Sequence, residues 1–243
     1  MNTEANLPRA TAEMAGRYDE IEKMFRGELS DEQRDSLNKE LAELVESHNW
    51  FNYEFTDPEM GKVGVKDVAG NVLVPARYDG ALFLENYRWT PRAPHGMSRD
   101  GKCGLVAADG SGVELSPFTY DDVQRVVYTP LYAAWWGGVA DRFGLILSDG
   151  TVVVENILTE VGDPLGGILE VTAGDKHGAI DTETLQVVAP EYDETYIDAD
   201  DNVVFVKGDV KGHIDTEGRF ITLEDYENGN YEGDGCILSF ACD

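Results

Sequence analysis

From Lys62 onward the chain alternates apolar and polar residues with the two-residue period of a strand. Val63 and Val65 are followed by Val72 and Val74. Ala69-Gly70-Asn71 between them supplies turn residues, with a glycine suited to positive φ. Pro75 has no N–H to donate to a central ladder, so it is expected to close the second strand. Tyr78-Asp79-Gly80 turns the chain, and a third apolar run, Ala81 to Leu84, follows. The predicted unit is strand, turn, strand, corner, strand. Three such strands expose an apolar face and need neighbours.

The first 58 residues have a different period. Met14, Tyr18, Ile21 and Phe25 recur at helical spacing, and Gly27 suits the residue just past a helix end. Ser30-Asp31-Glu32-Gln33 fits a capping box, and Leu37, Leu41, Leu44 and His48 continue one face of a second helix. Residues 1–58 therefore read as a helical hairpin. It is expected to cap the open end of a repeat array, with a separate docking hairpin as the rival reading.

The repeats align on one glycine. The frames are Lys62-Val63-Gly64, Lys102-Cys103-Gly104, Arg142-Phe143-Gly144, Lys176-His177-Gly178 and Val210-Lys211-Gly212. A second glycine, Gly70, Gly110, Gly150 or Gly218, follows at a fixed offset in four of the five; Thr184 stands there in the fourth. The corner recurs as Pro75 with Tyr78-Asp79, Pro117 with Tyr120-Asp121, and Pro190 with Tyr192-Asp193. Independent features that share one register define a repeat architecture.

This pattern resembles the WG-repeat (KWG repeat) family over about residues 59–223. Asp67, Asp181 and Asp215 match the family aspartate three residues after the glycine, whereas Ala107 and Leu147 do not. No unit has tryptophan before its glycine, so the copies are divergent. The resemblance implies an array of short antiparallel sheets acting as an interaction module, with no catalytic residues to transfer. The expected fold is mainly β. It is an open, solenoid-like curve of about five three-stranded repeats (59–223) behind the helical hairpin (1–58), followed by an acidic C-terminal loop and final strand (224–243).

Departures from the repeat are the candidate functional places. The insertion from Glu85 to Arg99 reads as a loop carrying Arg88, Arg92 and Arg99, expected to fold back on acidic groups of the same chain. A second insertion holds Trp135 and Trp136. Neighbours in a strand face opposite ways, so both cannot enter one core, and an exposed tryptophan would be a binding hot spot. Asp198, Asp200 and Asp201 crowd one hairpin tip. They resemble the start of a calcium loop but lack its glycine and its closing glutamate, so no metal site is assigned. Asp225, Tyr226 and Glu227 open an acidic, glycine-rich tail.

Charge sharpens this picture. The chain of 243 residues has a net charge of −28, unevenly spread. Residues 61–155 hold 11 acids and 9 bases, whereas residues 156–243 hold 21 and 4. Such a field attracts basic partners and repels nucleic acid and anionic membranes. Three cysteines, Cys103, Cys236 and Cys242, have no metal spacing and leave one odd thiol, which favours a reducing, cytoplasmic compartment. The N-terminus lacks the pattern of a signal peptide, and no run of about 18 apolar residues suggests a membrane span.

No phosphate-binding glycine loop, zinc-protease helix, Cys-x-x-Cys pair or nucleophile elbow occurs. His48, His95, His177 and His213 are scattered. The leading expectation is a non-catalytic, cofactor-free protein that sequesters or inhibits a basic protein, in its sharpest form as an immunity protein against a toxin. The partner-binding candidates are Trp135, Trp136, Asp198, Asp200, Asp201, Asp225, Tyr226 and Glu227. Two alternatives stay open: an acidic mimic of nucleic acid that blocks a DNA- or RNA-binding protein, and an enzyme whose site is assembled from distant loops.

Overall fold

The structure, a computed structural model, describes residues 14, 17, 20–21, 24, 30–46, 52–67, 70–82, 93–126, 129–165, 167–198, 202–215 and 217–230. These residues are mainly β, with strands arranged in five small antiparallel sheets. The chain divides into two compact units, residues 1–124 and 125–243.

In the first unit, helix α1 (Asp31–Glu46) begins at the predicted capping box. Ser30 Oγ accepts from the Gln33 N–H at 3.3 Å, and Gln33 Oε1 accepts from the Ser30 N–H at 3.0 Å. Leu37 is buried on its inner face. Met14, Arg17, Glu20, Ile21 and Met24 are also helical, and Arg17 reaches Glu40 with Nε at 2.7 Å and Nη2 at 2.9 Å. The rest of the predicted first helix, including Tyr18 and Phe25, lies outside the described residues.

Two sheets follow. The first contains β1 (Tyr53–Thr56), β2 (Val63–Lys66) and β3 (Val72–Tyr78). The second contains β4 (Gly80–Leu82), β5 (His95–Arg99) and β6 (Lys102–Val106). Their core gathers Val65, Leu73, Val74, Tyr78, Met97 and Val106. Strand β7 (Asp122–Arg125) straddles the division between the units. It belongs to the third sheet, ordered β10-β9-β8-β7, with β8 (Tyr132–Trp135), β9 (Phe143–Ile146) and β10 (Val152–Leu158). The fourth sheet runs β11 (Glu160–Val161), β12 (Ile168–Ala173), β13 (Lys176–Asp181), β14 (Val187–Tyr192). The fifth runs β15 (Glu194–Ile197), β16 (Val203–Lys207), β17 (Val210–Ile214), β18 (Phe220–Thr222), and helix α2 (Leu223–Asn228) follows it.

Four expectations change. First, the strand after the Tyr-Asp corner does not complete its own repeat. β4 pairs with β5, from Gly80↔Ser98 to Leu82↔Gly96, so each corner passes the chain to the next sheet. The last three sheets are therefore four-stranded meanders, not three-stranded units. The first sheet recruits β1 from within the stretch assigned to the helical hairpin, pairing Tyr53↔Lys66 through Thr56↔Val63. Second, Pro75 and Pro190 sit inside β3 and β14 rather than ending them. Both strands are edges of their sheets, where a missing N–H costs no ladder bond, and both pairings carry register shifts. Third, the insertion through Arg99 ends in strand β5; residues 83–92, with Arg88 and Arg92, lie outside the described residues.

Fourth, Asp225-Tyr226-Glu227 is not loop but the middle of α2. Thr222 caps that helix by accepting the Asp225 N–H at 3.1 Å, and Glu224 and Asp225 suit the positive end of the helix dipole. Gly229, at φ 67°, closes the other end with its N–H on the carbonyls of Asp225 and Tyr226. The predicted final strand from Cys236 lies outside the described residues.

Candidate functional site

The repeat glycine has one physical cause throughout. A Cβ on Gly64 would stand 2.5 Å from the Val74 carbonyl oxygen, 2.7 Å from the Phe55 ring and 2.8 Å from the Ala76 nitrogen. Gly104 lies under Phe118, Gly144 under Trp136 and the Val154 carbonyl, and Gly212 under Phe220 and the Ile221 carbonyl. Gly178 faces the backbone of Val188 and Pro190. The anchor position is where the bulged neighbouring strand or an aromatic ring presses against the sheet, so no side chain fits.

The basic residue and the corner aspartate are also linked. Lys62 Nζ binds Asp79 Oδ1 at 2.5 Å, Lys102 binds Asp121 at 2.6 Å, and Lys176 binds Asp193. The other oxygens of Asp79 and Asp193 accept the N–H groups of Asp100 and Gly208 at 2.7 Å each, fixing the next hairpin turn. The lysine bond holds the Asp79 and Asp193 carboxyls below the usual carboxylate range, and each of those lysines is raised by its aspartate. The corner tyrosines complete the connection. Tyr78 stacks on Phe118 with centroids 5.6 Å apart, and Tyr192 stacks on Phe220 at 5.8 Å. Each tyrosine thus meets the ring that covers the next repeat's glycine.

Two corners escaped the sequence motif. Leu158-Thr159 occupies the same offset after Gly144 that Tyr78-Asp79 occupies after Gly64, and Leu158 is fully buried. Thr159 Oγ1 takes over the turn by accepting the Gly174 N–H at 3.0 Å, but it offers Arg142 no charge. Tyr226-Glu227 falls at that offset after Gly212. Counting from the anchor glycine was the available signal.

The family-type aspartates build turns. Asp215 is buried and accepts the N–H groups of Glu217 and Arg219 at 2.9 and 2.8 Å and Arg219 Nε at 2.7 Å. Burial pushes its carboxyl up; the Arg219 N–H and guanidinium and the Glu217 N–H outweigh that and hold it below the usual range. Asp67 accepts the Asn71 N–H at 2.8 Å and its side-chain amide at 2.9 Å. Asp198 makes the same pair to Asn202, at 2.9 and 3.3 Å. This candidate contact residue is therefore a hairpin staple. Asp200 and Asp201 lie outside the described residues.

The two tryptophans obey the alternation. Trp135 packs on Phe143, with centroids 5.0 Å apart, on the core side of the third sheet, while Trp136 covers Gly144. Both are half-buried. Tyr226 meets His213 edge-on at 4.9 Å, Asp225 belongs to the α2 cap, and Glu227 alone of that trio is exposed. Among the described residues, Trp135 and Trp136 lie at the end of β8, Asp198 at the turn after β15, and Asp225, Tyr226 and Glu227 in α2.

Other polar groups serve structure as well. Arg99 grips Glu114 with Nη1 at 2.5 Å and Nη2 at 3.0 Å and lies over the Phe118 ring, as expected for a base folded onto its own chain. Burial, then the nearby Asp122, pushes the Cys103 thiol up to about 11, leaving it a poor nucleophile. His177 contacts Glu170 at 2.8 Å, and His213 contacts the Val203 carbonyl at 3.0 Å. Among the described residues no group of three or more His, Cys, Asp or Glu side chains is placed to hold a metal. None of their helices is long and apolar enough to cross a membrane.

No family model matches the chain, and no curated protein matches it. Among solved structures it is similar to a eukaryotic initiation factor, with TM-score 0.37, 10% identity, and coverage of 72% of this chain and 50% of that one. It is similar to Kluyveromyces lactis Hsv2, with TM-score 0.37, 11% identity, and coverage of 78% and 66%. The WD40 β-propeller domain of Doa1 aligns with TM-score 0.23, 12% identity, and coverage of 70% and 68%. The chain thus spans half of the first chain's length and 66% of the second's.

Proposed function

We propose that the chain is a non-catalytic binding protein whose acidic C-terminal part captures a basic protein, in the manner of an immunity protein or inhibitor. One observation carries this reading. All four bases of residues 156–243 are engaged within the chain. Lys176 binds Asp193, Lys207 binds Glu191, Arg219 binds Asp215 and Glu217, and Lys211 lies on Tyr196. Against 21 acids, these four bases leave residues 156–243 with a net charge of −17. Such a field steers a basic partner and accelerates its capture at low salt.

The same reading makes the units divergent WG repeats, supported by the lysine–aspartate corner and the turn aspartate. It includes an open, curved array, a helical hairpin at its start and a cytoplasmic location. Small-angle scattering of the full chain tests the curvature, since a closed ring has a smaller radius of gyration than an open arc. Affinity capture from a native lysate, then stopped-flow association with the purified partner, tests the function. The partner should be basic, and association should slow as salt rises and after charge reversal of the exposed Glu183 and Glu194. A partner without basic character, or a rate indifferent to salt and to both reversals, would overturn the reading.

A further inference from the structure

The second unit contains a cleft of about 190 Å³ formed by residues of the fourth and fifth sheets. Its floor is apolar and buried: Ile168, Ala179 and Val203. Its rim carries two exposed apolar side chains, Leu165 at 60% and Ile197 at 39% exposure. Leu165 is held there by reciprocal backbone hydrogen bonds with Ile168, at 2.9 Å each, so its exposure is built into the fold. Two carboxylates, Asp163 and Glu170, also line the cleft. Glu170 Oε1 accepts the Thr195 hydroxyl at 2.7 Å and contacts His177 Nδ1 at 2.8 Å, an arrangement that orients the carboxylate. Lys211 donates to Tyr196 Oη at 3.3 Å but does not line the cleft.

The volume is below the roughly 300–1,000 Å³ of small-molecule pockets, so the cleft suits one side chain better than a cofactor. Its chemistry is two-part: an apolar floor and rim with carboxylates beside them. A side chain that matches has an apolar stem and a cationic head. We propose that this cleft receives an arginine side chain presented by the basic protein partner, an assignment that rests on the capture reading above. The methylene stem lies against Ile168, Ala179 and Val203 under the Leu165–Ile197 rim, and the guanidinium meets Glu170 and Asp163. Arginine fits better than lysine. Its planar group has five N–H donors for two carboxylates, and it is less strongly hydrated than an ammonium.

The test uses the isotopically labelled full chain and three probes in NMR titrations: N-acetyl-arginine amide, its lysine counterpart and its neutral norleucine counterpart. The arginine probe should move the amides of Ile168, Ala179 and Val203, more tightly than lysine, with norleucine ineffective. Asp163→Asn combined with Glu170→Gln should weaken arginine binding about tenfold, the scale of losing a charge-assisted hydrogen bond. Glutamine keeps an acceptor for Thr195. Leu165→Ser, which leaves both carboxylates in place, should weaken it too. Equal shifts with norleucine, shifts confined to other surfaces, or variants that bind as the parent does would each overturn the proposal. An oligoarginine peptide separates it from its premise. Salt-dependent binding that leaves the cleft amides unmoved removes the cleft and keeps the acidic capture surface. Failure of the peptide to bind at all removes the capture reading itself.

Discussion

Gly64→Ala tests the central packing claim. The glycine has no positive φ, so the substitution adds no backbone strain of the left-handed kind. It adds one methyl group, and that group meets Val74 O at 2.5 Å and Ala76 N at 2.8 Å, both backbone, as well as the Phe55 ring at 2.7 Å. Contacts below 3.0 Å require movement, and backbone atoms of a paired strand move only with their ladder. Overpacking of this kind costs about 1–3 kcal/mol, and the backbone obstruction places Gly64→Ala in the upper half of that range. With a urea dependence of about 1–3 kcal/mol per molar, the unfolding midpoint of the first unit should fall by about 1 M. Gly162→Ala is the control: its Cβ would lie 3.6 Å from Glu170 Cβ, an ordinary contact, so its midpoint should hold or rise slightly. The assay is urea unfolding followed by circular dichroism for both variants and for Phe55→Ala/Gly64→Ala. An unchanged midpoint for Gly64→Ala would refute the argument. Full recovery in the double variant would show that the ring, not the bulged backbone, is the obstacle.

Three further outcomes follow from the corners and turns. Asp215→Ala removes the acceptor of two backbone N–H groups and of Arg219 Nε, and should destabilise the second unit by about 1–3 kcal/mol in urea unfolding. Thr159→Asp installs the missing corner carboxylate opposite Arg142 and should raise the thermal midpoint at low salt, with the gain fading at high salt. Asp79, Asp193 and Glu114 titrate below the usual range because Lys62, Lys176 and Arg99 bind them. Their contribution is complete above the ordinary carboxylate value of about 4 and is lost as pH falls through the lowered values. Lys62 and Lys176 titrate above theirs, so their contribution is complete below about pH 10 and is lost as pH rises through the raised values. Urea midpoints should therefore stay level from pH 7 towards 5 and fall below 4; a midpoint that climbs in acid refutes the pairing.

The strand period, the glycine register and the capping box at Ser30 were legible because each rests on local geometry: side-chain alternation, close backbone approach and reciprocal terminal hydrogen bonds. Assignment of strands to sheets was not. Nothing in Ala81-Leu82 says whether that run returns to β2 or moves on to β5; it pairs with β5, beside the corner where Asp79 binds both Lys62 and the Asp100 N–H. Pro75 misled for a related reason, since whether a proline ends a strand depends on whether that strand is an edge. Helix α2 was concealed by an acidic, glycine-rich composition, although Thr222 with Asp225 three residues later was a cap signal. Trp135 and Trp136 drew attention as hot spots, but nearby Phe143 and Gly144 supplied surfaces for both.

The distribution of work among the carboxylates bears on function. In the second unit Asp193 fixes a corner, Asp181, Asp198 and Asp215 staple turns, and Asp225 serves a cap. Changing these residues perturbs the scaffold first, so loss of binding after such a change would not identify a contact. Exposed acids without these duties, such as Asp163, Glu183 and Glu194, are better probes of the surface. The same division bears on the excess charge. Where the motif is kept, a corner pairs one lysine with one aspartate and a turn adds one aspartate, and residues 61–155, with two such corners and one such turn, are nearly neutral at 11 acids and 9 bases. The fourth and fifth sheets keep one lysine–aspartate corner, Lys176–Asp193, and the turn aspartates Asp181 and Asp215, and residues 156–243 hold 21 acids in all. Among the described acids, Asp163, Glu183 and Glu194 are exposed and stand outside these corners, turns and cap, which is why the capture surface is sought among them and not at the conspicuous Asp198 tip.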